Sequence, residues 1–224
     1  MDGVFIVLDG IDGCGKSTQI NLLKKALAAK GLPVNVSRWQ DSAYIEKLYI
    51  GDLLKKFQTG TVVIPPEART FLLAADISNR LESMIKPMLA DGSIVVGDRY
   101  IYKIIAQGIA RGLDKRWLAS LFSFAIEPDL KILLDVPAAT AAERITGYRE
   151  ISFYEAGLDI IRGADPKTAF VRFQSEVRKE ILALMKEERG IIVNGESTIE
   201  EQHAAILGYV DEAIRAKSAR SAGS

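Results

Sequence analysis

Val4-Phe-Ile-Val-Leu-Asp-Gly-Ile-Asp-Gly-Cys-Gly-Lys-Ser-Thr18 is the stretch from which the fold of this chain is read. Val4 to Leu8 has the length and β-propensity of a buried strand, and apolar residues at helical spacing follow Thr18. Between them lies Gly10-x-x-x-x-Gly15-Lys16-Ser17, the spacing of a phosphate-binding loop in its required strand-to-helix context. Gly10, Gly13 and Gly15 let the backbone curl with its N–H groups inward, and the helix behind adds the positive end of its dipole. With Ile11, Asp12 and Cys14 they form a cradle for polyphosphate. Lys16 is expected to reach the β/γ oxygens as a mobile charge, and the Ser17 hydroxyl to ligate the Mg²⁺ that accompanies a nucleoside triphosphate. Thr18 is expected to help cap the helix.

Composition sets the frame. A chain of 224 residues, 48% hydrophobic, suits one α/β domain with a substantial core. Basic and acidic residues number 29 each, so no bulk attraction to nucleic acid or anionic membrane is implied. A single cysteine excludes an internal disulfide, no apolar run approaches membrane-spanning length, and Met-Asp-Gly lacks a basic start. The cytoplasm is the expected compartment.

Along the chain, a helix over 17 to about 30 stops at Gly31, and Val34-Asn-Val-Ser is a second strand that delivers Arg38-Trp39-Gln40-Asp41 to its tip. A helix is read over Ala43 to Phe57, and another over Glu67 to Leu89 with Pro87 kinking its end. Ser93 to Gly97, Leu130 to Asp135 and Gly190 to Asn194 supply three more strands, with an alanine-rich helix after Pro137. Strands alternating with helices predict an α/β, three-layer P-loop NTPase fold: a five-stranded parallel sheet flanked by helices. One domain is expected over 1–216, with a disordered tail over 217–224. Residues 146–166 mix glycines, aromatics and arginines without a clean period and read as a lid that excludes water.

The ligand side of such a sheet lies at the strand tips. Asp98 ends the third strand and is the Walker-B-like carboxylate for Mg²⁺; Asp135 is its competitor at the tip of the fourth. Arg38, Arg99, Arg144, Arg149 and Arg162 fall near ligand-side loops, where guanidinium groups hold phosphate in a fork. Phosphoryl transfer passes through a loose transition state that needs cations more than a base. His203, the only histidine, is read as a solvated helical residue. A phosphate monoester acceptor supplies its own nucleophilic oxygen. Asp12, beside the triphosphate, needs a partner, and a substrate hydroxyl is preferred.

At this point the chain resembles the thymidylate kinase family. The resemblance rests on Phe5 to Gln19, on Asp98-Arg99-Tyr100, on Glu127-Pro-Asp-Leu-Lys-Ile-Leu-Leu-Asp-Val-Pro137, on Phe71-Leu-Leu-Ala-Ala-Asp76 and on Glu143-Arg144-Ile145. It implies phosphorylation of dTMP to dTDP by ATP with Mg²⁺, by a homodimer. Carried onto this sequence, it implies that Asp12 contacts the sugar 3′ hydroxyl, Arg99 the acceptor phosphate, and Arg38 with Trp39 the wall of the monophosphate pocket. Arg144 would lie near the adenine, Arg149 would be the lid arginine that replaces one absent from the loop, and Tyr154 would approach the acceptor base. The chain departs from the pattern at Ile77, where the family usually has a substrate-contacting arginine, and at Leu73, where it has a stacking phenylalanine. After Tyr100 it carries Ile101-Tyr-Lys-Ile-Ile-Ala-Gln107 where the family often has small polar residues and a tyrosine; in a relative acting on another nucleotide or a nucleoside, Trp39, Leu73 and Gln107 would reshape the pocket. Arg69 and Arg80 lie on nearly the helical face of Leu73 and Ile77 and are placed to compensate. Two alternatives stay open: a kinase for another nucleotide or nucleoside, and a nucleotide-binding regulator.

Overall fold

In the computed structural model, residues 3–38 and 56–222 are described. Trp39 and most of the helix read over Ala43 to Phe57 lie outside them. Five parallel strands form one sheet in the order β2-β3-β1-β4-β5: β1 Val4–Asp9, β2 Val34–Arg38, β3 Ile94–Asp98, β4 Leu130–Asp135 and β5 Ile191–Asn194. The central strand β1 is buried along its whole length, which is why its sequence is a continuous apolar run rather than an alternation. Its register sets Leu8 opposite Asp98 of β3 and opposite Ile132 of β4, so the tips of the three middle strands reach the same edge.

Helices flank the sheet. They are α1 Lys16–Ala29, α2 Pro66–Arg80, α3 Lys86–Ala90, α4 Ile101–Ile109, α5 Lys115–Leu121, α6 Ala138–Thr146, α7 Pro166–Glu187 and α8 Ile199–Ala222. α2 and α3 are joined by a π-helical turn, Leu81–Ile85, in which the Lys86 N–H bonds to the Leu81 carbonyl. The expected kink is therefore a widened turn just before Pro87, a residue that cannot donate to the carbonyl one turn back. α7 buries Phe170, Phe173, Val177 and Ile181, one face at helical spacing, against α4 and β4.

α8 corrects one expectation. The chain remains helical through Ala222 rather than ending in a disordered tail after residue 216. Lys217 Nζ reaches Asp129 Oδ1 at 2.8 Å, and Asp129 Oδ2 accepts from the Phe5 N–H at 2.9 Å, which ties the last turns to the start of β1. Among the described residues no helix is long and apolar enough to cross a membrane.

Between α6 and α7 the chain is a series of turns, as its sequence suggests, yet it packs closely. Ala156 is fully buried and Gly157 has φ +69°, with its Cα against the Phe173 ring. A β-carbon at Gly157 would come within 2.5 Å of Phe173 Cγ. Gly157→Ala combines left-handed strain with overlap and should lower the unfolding free energy by about 2 kcal/mol or more. Chemical denaturation measures this, and an unchanged midpoint would show that the segment does not seat on α7.

Candidate active site

The loop between β1 and α1 has the geometry its glycines require. Gly10, Gly13 and Gly15 have φ of +151°, +79° and +102°. A β-carbon at Gly10 would lie 2.7 Å from the Leu134 carbonyl oxygen, and one at Gly13 2.6 Å from that of Ala141, so dihedral and space both exclude side chains. No side chain caps α1; Thr18 is exposed and instead bonds through its N–H to the Gly15 carbonyl at 3.1 Å. Without that cap the positive end of the helix is left for a ligand. Lys16 Nζ donates to the carbonyls of Gly10 at 2.8 Å and Ile11 at 3.0 Å. Cys14 is buried, its sulfur 3.4 Å from Lys16 Nζ, and acts as a small packing residue in the loop.

Arg99 follows the tip of β3 with φ +68°, a left-handed conformation that costs a non-glycine residue about 1 kcal/mol or more. That turn brings its guanidinium onto Asp12 Oδ1, which Lys103 Nζ also reaches at 2.6 Å. Gln174 Nε2 donates to Asp12 Oδ2 at 3.3 Å. Burial pushes the Asp12 carboxyl upward, but Lys103, Arg99 and Lys16 outweigh it and hold the group well below the usual carboxylate range. At Asp9, fully buried under the loop, burial wins and the carboxyl is raised, against the pull of Lys16 and the Gly10 N–H.

Two cavities meet at this cluster. The larger, about 770 Å³, is lined by the glycine loop, Ser17, Thr18, Arg38, Arg144 and Arg149. The smaller, about 120 Å³, is lined by Arg69, Leu73, Arg80, Lys103, Gln107 and Tyr154. Asp12, Asp98 and Arg99 belong to both. In the smaller cavity Tyr154 lies between two guanidinium groups, Arg69 at 3.8 Å and Arg111 at 3.7 Å from the ring centroid, with Phe173 at 4.3 Å beyond Arg111. Arg111 is fixed by Asp159 at 2.8 Å and 3.1 Å. Arg80 is locked to Asp76 at 2.9 Å and Ser37 at 3.2 Å, leaving Arg69 as the guanidinium stacked at the ring. Ile77 is in the core and does not line the cavity, whereas Arg69 and Arg80 do.

The other expected residues divide. Arg144 bonds to the carbonyls of Cys14 at 3.3 Å and Gly195 at 2.9 Å, which fixes it on the wall of the larger cleft. Arg149 lines that cleft but pairs with Glu155 at 2.8 Å through both terminal nitrogens. Arg38 contacts Asn21 at 3.3 Å and Asp98 at 3.5 Å. Asp135 is removed as a competitor of Asp98: it pairs with Arg178 at 2.7 Å and lines neither cavity. Arg162 is exposed and also lines neither.

Two residues of the cluster escape a reading of the sequence. Lys103 had a signal, as the one charge in the apolar run Ile101 to Ala106, four residues beyond Arg99. Gln174, in the middle of α7, had none, since its contact with Asp12 spans 162 positions.

A glycine cradle at a strand-helix turn, facing an arginine across a shared carboxylate at the tips of a parallel sheet, defines a P-loop phosphotransferase. The family model for thymidylate kinase matches residues 8–206. A probable thymidylate kinase of Thermococcus gammatolerans is 37% identical over 219 residues, covering 95% of this chain and 98% of that one. A probable thymidylate kinase of Pyrococcus horikoshii is 36% identical over 213 residues (94% and 97%), and a thymidylate kinase of Geotalea daltonii 35% over 214 (93% and 96%). This chain belongs to the thymidylate kinase family.

Asp12→Asn leaves the buried Lys103 ammonium without its counter-charge and should cost about 3 kcal/mol of stability at neutral pH. The Asp12 pKa is depressed in the folded state, so its stabilisation is complete above the unfolded value of 3.8 and is lost as pH falls below it. Wild type should therefore lose stability more steeply than Asp12→Asn below about pH 4. Parallel acid limbs in urea titrations of the two proteins would contradict the pairing.

Proposed function

We propose that this chain transfers the γ-phosphoryl group of ATP to dTMP, releasing ADP and dTDP. One observation carries the reading: the phosphate cradle and the arginine-lined cavity are separate spaces that touch at Asp12, Asp98 and Arg99, as a donor and an acceptor joined phosphate to phosphate require. ATP lies in the larger cleft, its phosphates in Gly10 to Thr18 and its adenine beside Arg144. Lys16 exchanges its two carbonyl partners for β/γ oxygens. dTMP enters the smaller cavity with its phosphate at Arg99, its sugar at Asp12 and its base toward Leu73, Gln107, Arg69 and Tyr154. Arg38 lines the larger cleft beside Asp98 and Arg99, from where it would reach the acceptor phosphate; Trp39 lies outside the described residues.

The donor set fits Mg²⁺. Ser17 and Asp98 line the same cleft, and this ion takes one or two protein oxygens together with phosphate oxygens and waters. That suits a site where, among the described residues, no group of three acidic, cysteine or histidine side chains gathers. Ser17 and Asp98 would hold the ion, which neutralises phosphate charge during transfer. The chain's own groups do the rest: Arg99 aligns the attacking oxygen of the acceptor, Lys16 follows the developing charge, and Arg149 closes over it from segment 146–166 acting as a lid. The dianionic acceptor phosphate is its own nucleophile, so no side-chain base is needed. A cytoplasmic homodimer that binds no nucleic acid completes the proposal, in keeping with the resemblance and the balanced charge.

ADP release from ATP, measured with each deoxynucleoside monophosphate in turn, tests the reading. Selective stimulation by dTMP is expected, and none by any acceptor would refute a kinase. Arg99→Ala should raise the dTMP KM and lower kcat together, reducing kcat/KM by about a hundredfold or more. Wild-type turnover in that variant would remove the assigned role.

A further inference from the structure

Asp12 Oδ1 receives two cations that differ in freedom. The Arg99 side chain is 36% exposed, whereas that of Lys103 is 4% exposed. Arg99 stands at the junction of the two cavities, and Lys103 lines only the smaller one. Lys103 is also anchored through its backbone: its N–H donates to Asp9 Oδ2 at 3.2 Å, and Asp9 Oδ1 accepts from the Gly10 N–H at 2.8 Å. The lysine is thus built into the base of the phosphate cradle, and the arginine hangs over its rim.

We propose that Lys103 is a positioning residue for phosphoryl transfer, holding the charge of Asp12 so that Arg99 can leave that carboxylate for the phosphate of the acceptor. The inference rests on the phosphotransferase reading given above. With Arg99 alone on Asp12, every acceptor that recruits the guanidinium would strand a buried carboxylate next to polyphosphate. Lys16 cannot replace it, because the donor phosphates claim that ammonium. With Lys103 at 2.6 Å, Asp12 has a second cation to keep when Arg99 leaves, and the acceptor does not bear the cost of stranding the carboxylate.

The surroundings give this role a pH dependence. Asp9, Asp12 and Lys16 face Lys103 from β1 and the loop, and Arg99 from the tip of β3. Asp98 at the end of β3 and Tyr100 after it, Arg69, Asp76 and Arg80 of α2, and Tyr154 and Glu155 border the same cavity, and α7 contributes the uncharged Gln174. Burial, then Arg99 and Lys16, outweigh Asp12 and lower the Lys103 ammonium to about 8. Above that pH Lys103 is neutral, Asp12 retains Arg99, and acceptor binding weakens.

The test is calorimetric dTMP binding, with dTMP and ATP kinetics, for wild type, Lys103→Met and Lys103→Arg from about pH 7 to about pH 9. Lys103→Met should raise the dTMP Kd and KM about tenfold at neutral pH and leave the ATP KM unchanged. Wild-type affinity should fall above pH 8 toward the Lys103→Met value, and Lys103→Arg, permanently charged, should show no such limb. Wild-type dTMP affinity in Lys103→Met, or a basic limb that survives in it, overturns the inference. If Lys103→Met does not fold, the comparison of wild type with Lys103→Arg decides: a limb in wild type alone supports the role, and the same limb in both refutes it. Failure of wild type to phosphorylate any nucleoside monophosphate refutes instead the reading on which the inference rests.

Discussion

The pairing of β1 with β3 is the constraint on which the site depends. Leu8 lies opposite Asp98, and the next N–H, that of Arg99, donates to the Leu8 carbonyl at 3.1 Å. This bond extends the ladder one residue beyond the strand and holds Arg99 where its left-handed backbone turns the side chain onto Asp12. A slip of one residue would move every side chain of β3 to the opposite face of the sheet. The apolar residues Ile94 to Val96 would leave their core contacts, and Arg99 would lose the carboxylate. Core packing and site geometry therefore select the same register.

The cluster at the strand tips is built for charge that arrives later. Asp9, Asp12 and Asp98 face Lys16, Arg99 and Lys103 before any phosphate binds. Buried ion pairs seldom stabilise a fold on balance, because desolvation offsets their attraction. Their value here is positional. Lys16 is held by two carbonyl oxygens, and Arg99 and Lys103 by the Asp12 carboxylate, so the cations are oriented by the protein's own groups.

How far these features can be read in the sequence follows from their range. The loop, the strands and Arg99 are local patterns, and the structure has them where periodicity and glycine spacing put them. The strand order is not local, since parallel neighbours come from distant segments joined by helices. Tyr154 was visible only through family resemblance, and its stack with Arg111 and Phe173 depends on three separate elements. The C-terminal residues Lys217 to Ala222 have the small and polar composition of a loose end. Their helix persists through a contact with Asp129, 88 positions away, which no composition reveals. At the family position of Ile77 the side chain packs in the core, and the arginines of α2 that line the cavity are Arg69, two turns earlier, and Arg80.

The irregular segment between α6 and α7 joins these parts through contacts of unequal strength. Arg111 and Asp159 are 1% and 6% exposed, so parting them would strand buried charge. Arg149 and Glu155 are 39% and 22% exposed, a pair worth less than about 1 kcal/mol. A phosphate group would offer Arg149 more negative charge and more acceptor oxygens than Glu155 does. The Arg149 end of the segment is therefore the weakly held one, while Asp159 and Gly157 keep its base in place. Gln174 extends that coupling to the other cavity: one Nε2 donates to the Glu155 carbonyl at 2.8 Å and to Asp12 at 3.3 Å. Asp12 and Glu155, both of which line the two cavities, are thus bridged by one amide of α7.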